Sequence, residues 1–195
     1  MCEALYNLDI LCFASDASVA CTVEAIRGSH KPFDPRIHNS RPHPGQTLSA
    51  ARISSLLENS EIKISHLNCD RVQDAYSIRC SPQVHGPVID MLRESRRILE
   101  IEINSSTDNP LVFTEGGSTE VISGGNFHGQ YIALSSDSIS IACHELASIS
   151  ERRINQILDP KWSGQSAFLA NNEGLESGLM ICLLYTSPSP RDLDL

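Results

Sequence analysis

The 195-residue sequence has no Cys-x-x-Cys pair and no His-Glu-x-x-His run, the spacings at which thiols and imidazoles most readily build a zinc site. Its seven cysteines (2, 12, 21, 69, 80, 143 and 182) are scattered and odd in number. That pattern argues against a disulfide framework and predicts reduced thiols packed as small hydrophobes. His30, His38 and His43 fall close together in a proline-rich stretch; without a matching partner spacing they read as surface or packing residues, and no metal is expected. An excess of positive charge is also missing. The net charge is −9 and the isoelectric point is near 5.2, which argues against nucleic acid or an anionic membrane as the main partner. A local cationic site for a small anion remains open. No apolar run approaches twenty residues, and no basic segment leads into an apolar one at the start. A membrane span and a secretory signal are therefore not expected, and a soluble protein of the cytoplasm is. No internal repeat is present.

What remains reads as globular, with 41% hydrophobic and 20% charged residues, ten prolines and eleven glycines, in a chain long enough for one domain with a sizeable core. Leu5, Leu8, Leu11, Cys12, Val19, Val23 and Ile26 give residues 2–27 a helical apolar spacing, with Gly28 as a stop. Met1 leads straight into that pattern without a capping residue. Residues 28–45 hold four prolines and are expected to form a long ordered loop. A short helix is expected over 46–58, with Leu48, Ile53, Leu56 and Leu57 on its apolar side, and a strong amphipathic one over 85–104. Leu-Val-Phe-Thr (111–114) and Glu-Val-Ile-Ser (120–123), parted by Gly-Gly, predict a small hairpin. A long helix with few charges over about 128–158 predicts a central element of a bundle. The expected fold is thus mainly α, a long antiparallel helical bundle with one β-hairpin near 111–123. After Ile181 the text Cys-Leu-Leu-Tyr-Thr-Ser-Pro-Ser-Pro loses any period, and residues 182–195 are expected to be a disordered tail.

The stretch Asp-Arg-Val-Gln-Asp-Ala-Tyr-Ser-Ile-Arg-Cys-Ser-Pro-Gln (70–83) is the densest in chemistry. Gln73, Tyr76 and Arg79 recur every third residue, a spacing that aligns side chains in a tight helical turn but not in a strand. Pro82 is expected to end that turn. A guanidinium fork flanked by an amide and a phenol suits a small ligand bearing a carboxylate. The same spacing also fits a helix end in which the arginine is satisfied by a nearby aspartate, and spacing alone does not choose between the two.

The wider text does. Gln-Asp-Ala-Tyr-Ser-Ile-Arg-Cys-Ser-Pro-Gln-Val (73–84), Asn-Ser-Ser-Thr-Asp-Asn-Pro-Leu-Val-Phe (104–113), Ser-Gly-Gly-Asn-Phe-His-Gly (123–129), Ser-Glu-Arg-Arg-Ile (150–154), Asp-Pro-Lys-Trp-Ser-Gly (159–164) and Gly-Leu-Glu-Ser-Gly-Leu-Met (174–180) occur in this order. Together with residues 28–46 they resemble the histidine ammonia-lyase branch of the aromatic amino acid ammonia-lyases, over roughly residues 1–181. Tyrosine or phenylalanine lyases and aminomutases are the neighbouring branches, and a noncatalytic helical scaffold that binds a small ligand is the alternative from another class. The resemblance implies non-oxidative loss of ammonia from L-histidine to give trans-urocanate, a step of histidine degradation, in a homotetramer. It implies a 4-methylidene-imidazol-5-one electrophile, formed from an internal Ala-Ser-Gly. By the matching motifs, Arg79 would hold the substrate carboxylate, Gln73 would orient substrate and cofactor, and Phe127 would pack beside the electrophile. Tyr76 would line the reacting centre as the catalytic residue. A tyrosine hydroxyl ordinarily ionises near pH ~10 and moves protons at neutral pH only beside a positive group.

The departures are equally definite. No Ala-Ser-Gly occurs; Ala14-Ser15-Asp16 and Ala17-Ser18-Val19 do not replace it. Glu176 stands where the family commonly has asparagine, and Leu179 where phenylalanine is usual. The expectation is a middle segment of such a lyase, a partial helical lyase domain over 1–181 with a non-native end over 182–195, inactive by itself.

Overall fold

Proline opens several helices of this chain, while Pro87 lies inside one. The computed structural model describes residues 1–65 and 72–186, and Pro35, Pro44, Pro82 and Pro160 each stand in the first turn of an α-helix. The missing N–H does no harm there, because the first helical amides have no acceptor within the helix. Two expectations are corrected on this ground. After α1 (Cys2–Ala25), residues 28–45 are not a plain loop. They hold a 3₁₀ turn (Lys31–Phe33) and α2 (Pro35–Asn39), then lead into α3 (Pro44–Leu56). Asp34 caps α2, its Oδ1 accepting from the Arg36 N–H at 2.9 Å. After α4 (Glu61–Ser65) and the single turn α5 (Tyr76–Arg79), Pro82 does not end the segment but opens α6 (Ser81–Ile103).

The core lies where α1, α6 and α7 (Gln130–Leu158) meet. Leu8 and Cys12, Ile89 and Leu92, and Ala142 and Leu146 pack there as the inward stripes of the three helices. A second cluster joins Val19 and Val23 of α1 to Phe33, Ile53, Leu57 and Ile78. Leu56, expected on the apolar side of its helix, points outward. Burial and the neighbouring Asp16 carboxylate push the Cys12 thiol up to about 11, so it behaves as a small hydrophobe. Each described cysteine is free.

Helices α3 and α6 touch backbone to backbone at Gly45 and Gly86. A Cβ on Gly45 would lie 2.1 Å from the Gly86 carbonyl oxygen, and one on Gly86 would lie 2.5 Å from the Gln46 backbone. No side chain can yield at such a contact, so Gly86→Ala is expected to cost about 1–3 kcal/mol or more. For a chain of this size that is a drop of roughly 2–4 °C in melting temperature per kcal/mol. A thermal unfolding curve superposable on the parent's would contradict the close crossing.

β1 (Leu111–Glu115) and β2 (Ser118–Ile122) pair antiparallel, Val112 opposite Val121. Gly116 and Gly117, both at positive φ, make the two-residue turn, as the right-handed twist of a hairpin demands. The hairpin stands off the core with nearly every residue exposed. The expected long helix is there as α7, one of the three that meet in the core. It buries one stripe, while Leu134 (60% exposed) and Ile141 (65%) face outward; the other side of the helix has no cover among the described residues. After α8 (Pro160–Ser163), α9 (Met180–Thr186) carries helix past Ile181. Met180 to Tyr185 contain no glycine or proline to interrupt it, so the expected boundary at 181 moves outward. Residues 187–195 lie outside the described residues.

Candidate active site

Asp74 fixes the segment that enters α5, its Oδ2 accepting from the Ser29 N–H at 2.6 Å. Ala75 is extended and starts the turn; its carbonyl accepts from the amides of Ile78 and Arg79, both at 3.0 Å. Residues 73–79 are therefore a short extended entry and one helical turn, as the three-residue spacing requires. The turn brings Tyr76 and Arg79 together: the guanidinium carbon stands 4.6 Å from the centre of the phenol ring, a cation–π pair. Tyr76 is 72% exposed. Arg79 Nε is buried and makes no hydrogen bond among the described residues, and none of the described aspartates or glutamates forms an ion pair with it. The helix-end reading, in which an aspartate satisfies the arginine, thus finds no described partner.

Gln73 lines a neighbouring cleft of about 440 Å³ with Ile26, Ile78, Gln156, Ile157 and Trp162, and also a larger one on the side of Ser29 and His30. Tyr76 and Arg79 line neither cleft, and the described contacts join Tyr76 to Arg79 without Gln73. Phe127 lies on the link between β2 and α7, 62% exposed, and no hydrogen bond or ring contact among the described residues joins it to that pair. Glu176 has its carboxyl held below the usual range by the Asn172 side chain and the backbone amides of Asn172 and Asn171; it serves a local turn.

Sequence reasoning missed the buried polar network behind α5. Asp16 is fully buried on α1 and accepts from the Ser49 hydroxyl at 2.5 Å and from His85 Nδ1 at 2.8 Å. Arg52 stands 3.5 Å from its other oxygen, an ion pair without a hydrogen bond. On the far side of the ring, His85 Nε2 faces Arg153 Nη2 at 3.4 Å. A guanidinium can only donate, so Nε2 accepts and the proton of neutral His85 sits on Nδ1. Arg153 also donates from Nε to the Ser77 carbonyl at 3.0 Å and from Nη1 to Ser18 at 2.9 Å. Burial lowers its pKa to about 10, still charged at neutral pH. The signal was present in the sequence: Asp16 follows Cys12 by four residues and precedes Val19 by three, on the apolar stripe itself.

Burial lowers the pKa of His85, and the Asp16 partner only partly opposes this. The unfolded histidine therefore binds protons that the folded one refuses. Stability is expected to be full above the ordinary value of 6.5 and to fall as pH drops below it, by up to about 1.4 kcal/mol per pH unit. Denaturant midpoints at a series of pH values, with His85→Gln as the reference, check this. Equal slopes in parent and variant would refute it.

The pattern of this chain is that of an aromatic amino acid lyase: the model of that family matches residues 1–187, and the chain belongs to the family. Among curated relatives it is 53% identical over 167 residues to the histidine ammonia-lyase of Myxococcus xanthus, a match covering 86% of this chain and 32% of that protein. The crystal structure of histidine ammonia-lyase from Trypanosoma cruzi superposes with a TM-score of 0.84 at 42% identity, over 94% of this chain and 33% of the other. Tyrosine aminomutase from Streptomyces globisporus gives 0.83 at 34% identity, over 94% and 38%. The chain spans about a third of the length of these relatives.

Proposed function

We propose that this chain supplies the carboxylate-binding part of a histidine ammonia-lyase, which eliminates ammonia from L-histidine to leave trans-urocanate. The observation that carries the reading is Arg79: a cation with a buried Nε that makes no hydrogen bond among the described residues, stacked on an exposed phenol. Such a group suits the carboxylate of an amino acid, with the Tyr76 hydroxyl beside the reacting carbons. The roughly 50% identity to curated histidine ammonia-lyases supports the choice of substrate. Gln73 orients the bound molecule from the adjoining cleft. The uncovered apolar sides of α7 and the hairpin support assembly from several copies, which the family resemblance makes a homotetramer.

The family is known for a methylidene-imidazolone group, which would supply an electrophile for the amine. Ala-Ser-Gly, its precursor, does not occur among residues 1–195, so the residues present do not build that group. What the chain does contribute is binding and orientation, and Phe127 is the residue that would pack beside the electrophile. The second reading, an aminomutase acting on tyrosine, draws on the likeness to the Streptomyces structure.

Product analysis separates the two. A complete enzyme carrying this segment is expected to raise urocanate absorbance from L-histidine and to give no β-amino acid from L-tyrosine. The 195-residue chain by itself is expected to release no urocanate. β-Tyrosine formation would overturn the first reading in favour of the second.

A further inference from the structure

A four-residue turn has no stability of its own, yet α5 carries both Tyr76 and Arg79. Its backbone is held from outside at one residue. The Ser77 carbonyl accepts from the Ser81 hydroxyl at 3.0 Å and from Arg153 Nε at 3.0 Å. The Ser77 hydroxyl in turn donates to Gln156 Oε1. Arg153 and Gln156 lie three residues apart on α7, so one face of that helix grips both polar ends of Ser77. The grip is buried: Arg153 is 2% exposed and Ser77 7%. Its far end is anchored through His85 to Asp16 and through Ser18 to α1. The Arg-Arg of Ser-Glu-Arg-Arg therefore divides its work. Arg152 pairs with Glu151 at the surface, while Arg153 turns inward to α5.

We infer that Arg153, with Gln156, is a positioning residue that sets the substrate-binding turn. Through the Ser77 carbonyl it fixes the angle at which Tyr76 and Arg79 leave the backbone, without touching substrate. The inference rests on the reading of Tyr76 and Arg79 as the substrate-binding pair.

Amide hydrogen exchange on the full chain tests it. The amides of Ile78, Arg79 and Cys80 close the turn on Ala75 and Tyr76, and the amide of Leu57, bonded to Ile53 in the second core, serves as the reference for general loosening. Arg153→Lys keeps the charge but not the fork. It is expected to speed exchange at the three turn amides about tenfold more than at Leu57, the loss of one charge-assisted bond. Gln156→Ala, which leaves the Asp16 network intact, is expected to act in the same direction by about threefold. If Arg153→Lys fails to fold, Gln156→Ala carries the test. In a complete enzyme, Gln156→Ala is expected to raise KM for the amino acid by a similar factor with little change in kcat. Turn amides that exchange no faster relative to Leu57 in either variant would overturn the positioning role. If they do exchange faster while Arg79→Ala leaves turnover intact, the substrate-binding reading of the turn falls and the grip on the turn stands.

Discussion

Arg79→Ala in a complete enzyme carrying this segment is expected to lower kcat/KM for L-histidine by roughly a hundredfold to a few thousandfold. The figure follows from leaving a substrate carboxylate without its charge-assisted partner, about 3–5 kcal/mol, at about 1.4 kcal/mol per factor of ten. Arg79→Lys should recover only part of the loss, because an ammonium does not reproduce the two-pronged geometry of the guanidinium. Stability is expected to behave differently. Arg79 Nε holds no hydrogen bond among the described residues, and the stacking on Tyr76 contributes only about 0.5–1 kcal/mol at an exposed site. The variant should therefore melt close to the parent while losing turnover. Unimpaired turnover in Arg79→Ala would remove the clamp; a large fall in melting temperature would make the arginine a structural residue instead.

The largest stability loss is expected from Asp16→Ala. The carboxylate is the shared acceptor for Ser49 and His85 and the counter-charge for Arg52. Its removal strands two buried donors and a cation together. Breaking a buried pair from one side costs about 3–5 kcal/mol, a large part of the ~5–15 kcal/mol that holds a domain together. Asp16→Asn keeps an acceptor and loses the charge, and should fall between the two. Denaturant midpoints rank the three proteins. An Asp16→Ala midpoint equal to the parent's would mean that the network contributes no net stability.

The long helices and the hairpin were legible because their signals are local. Leu5, Leu8 and Cys12 recur at helical spacing, and Gly116-Gly117 can take the positive φ that a two-residue turn needs. The prolines were misread for a physical reason. Pro35, Pro44 and Pro82 break a helix in its interior but suit its first turn, and the sequence around them does not say which position they occupy. The Tyr76–Arg79 stacking followed from a spacing of three, whereas the bond that ties Asp74 to Ser29 did not, since it joins residues 45 apart. Asp16 on an apolar stripe signalled a buried polar group, but its partners did not show, for the same reason. Asp16 and His85 are 69 residues apart and His85 and Arg153 a further 68, and no periodicity links them.

That separation has a consequence in time. A ribosome adds about 5–20 residues per second, so Arg153 emerges several seconds after His85, which it follows by 68 residues. During that interval α1, α3 and α6 can already dock through Asp16, Ser49 and His85, while Ser77 has Ser81 but no guanidinium. The helices that carry the scaffold are thus available early in synthesis. On the inferred role of Arg153, the turn bearing Tyr76 and Arg79 completes its hydrogen bonds only with a residue made long after it.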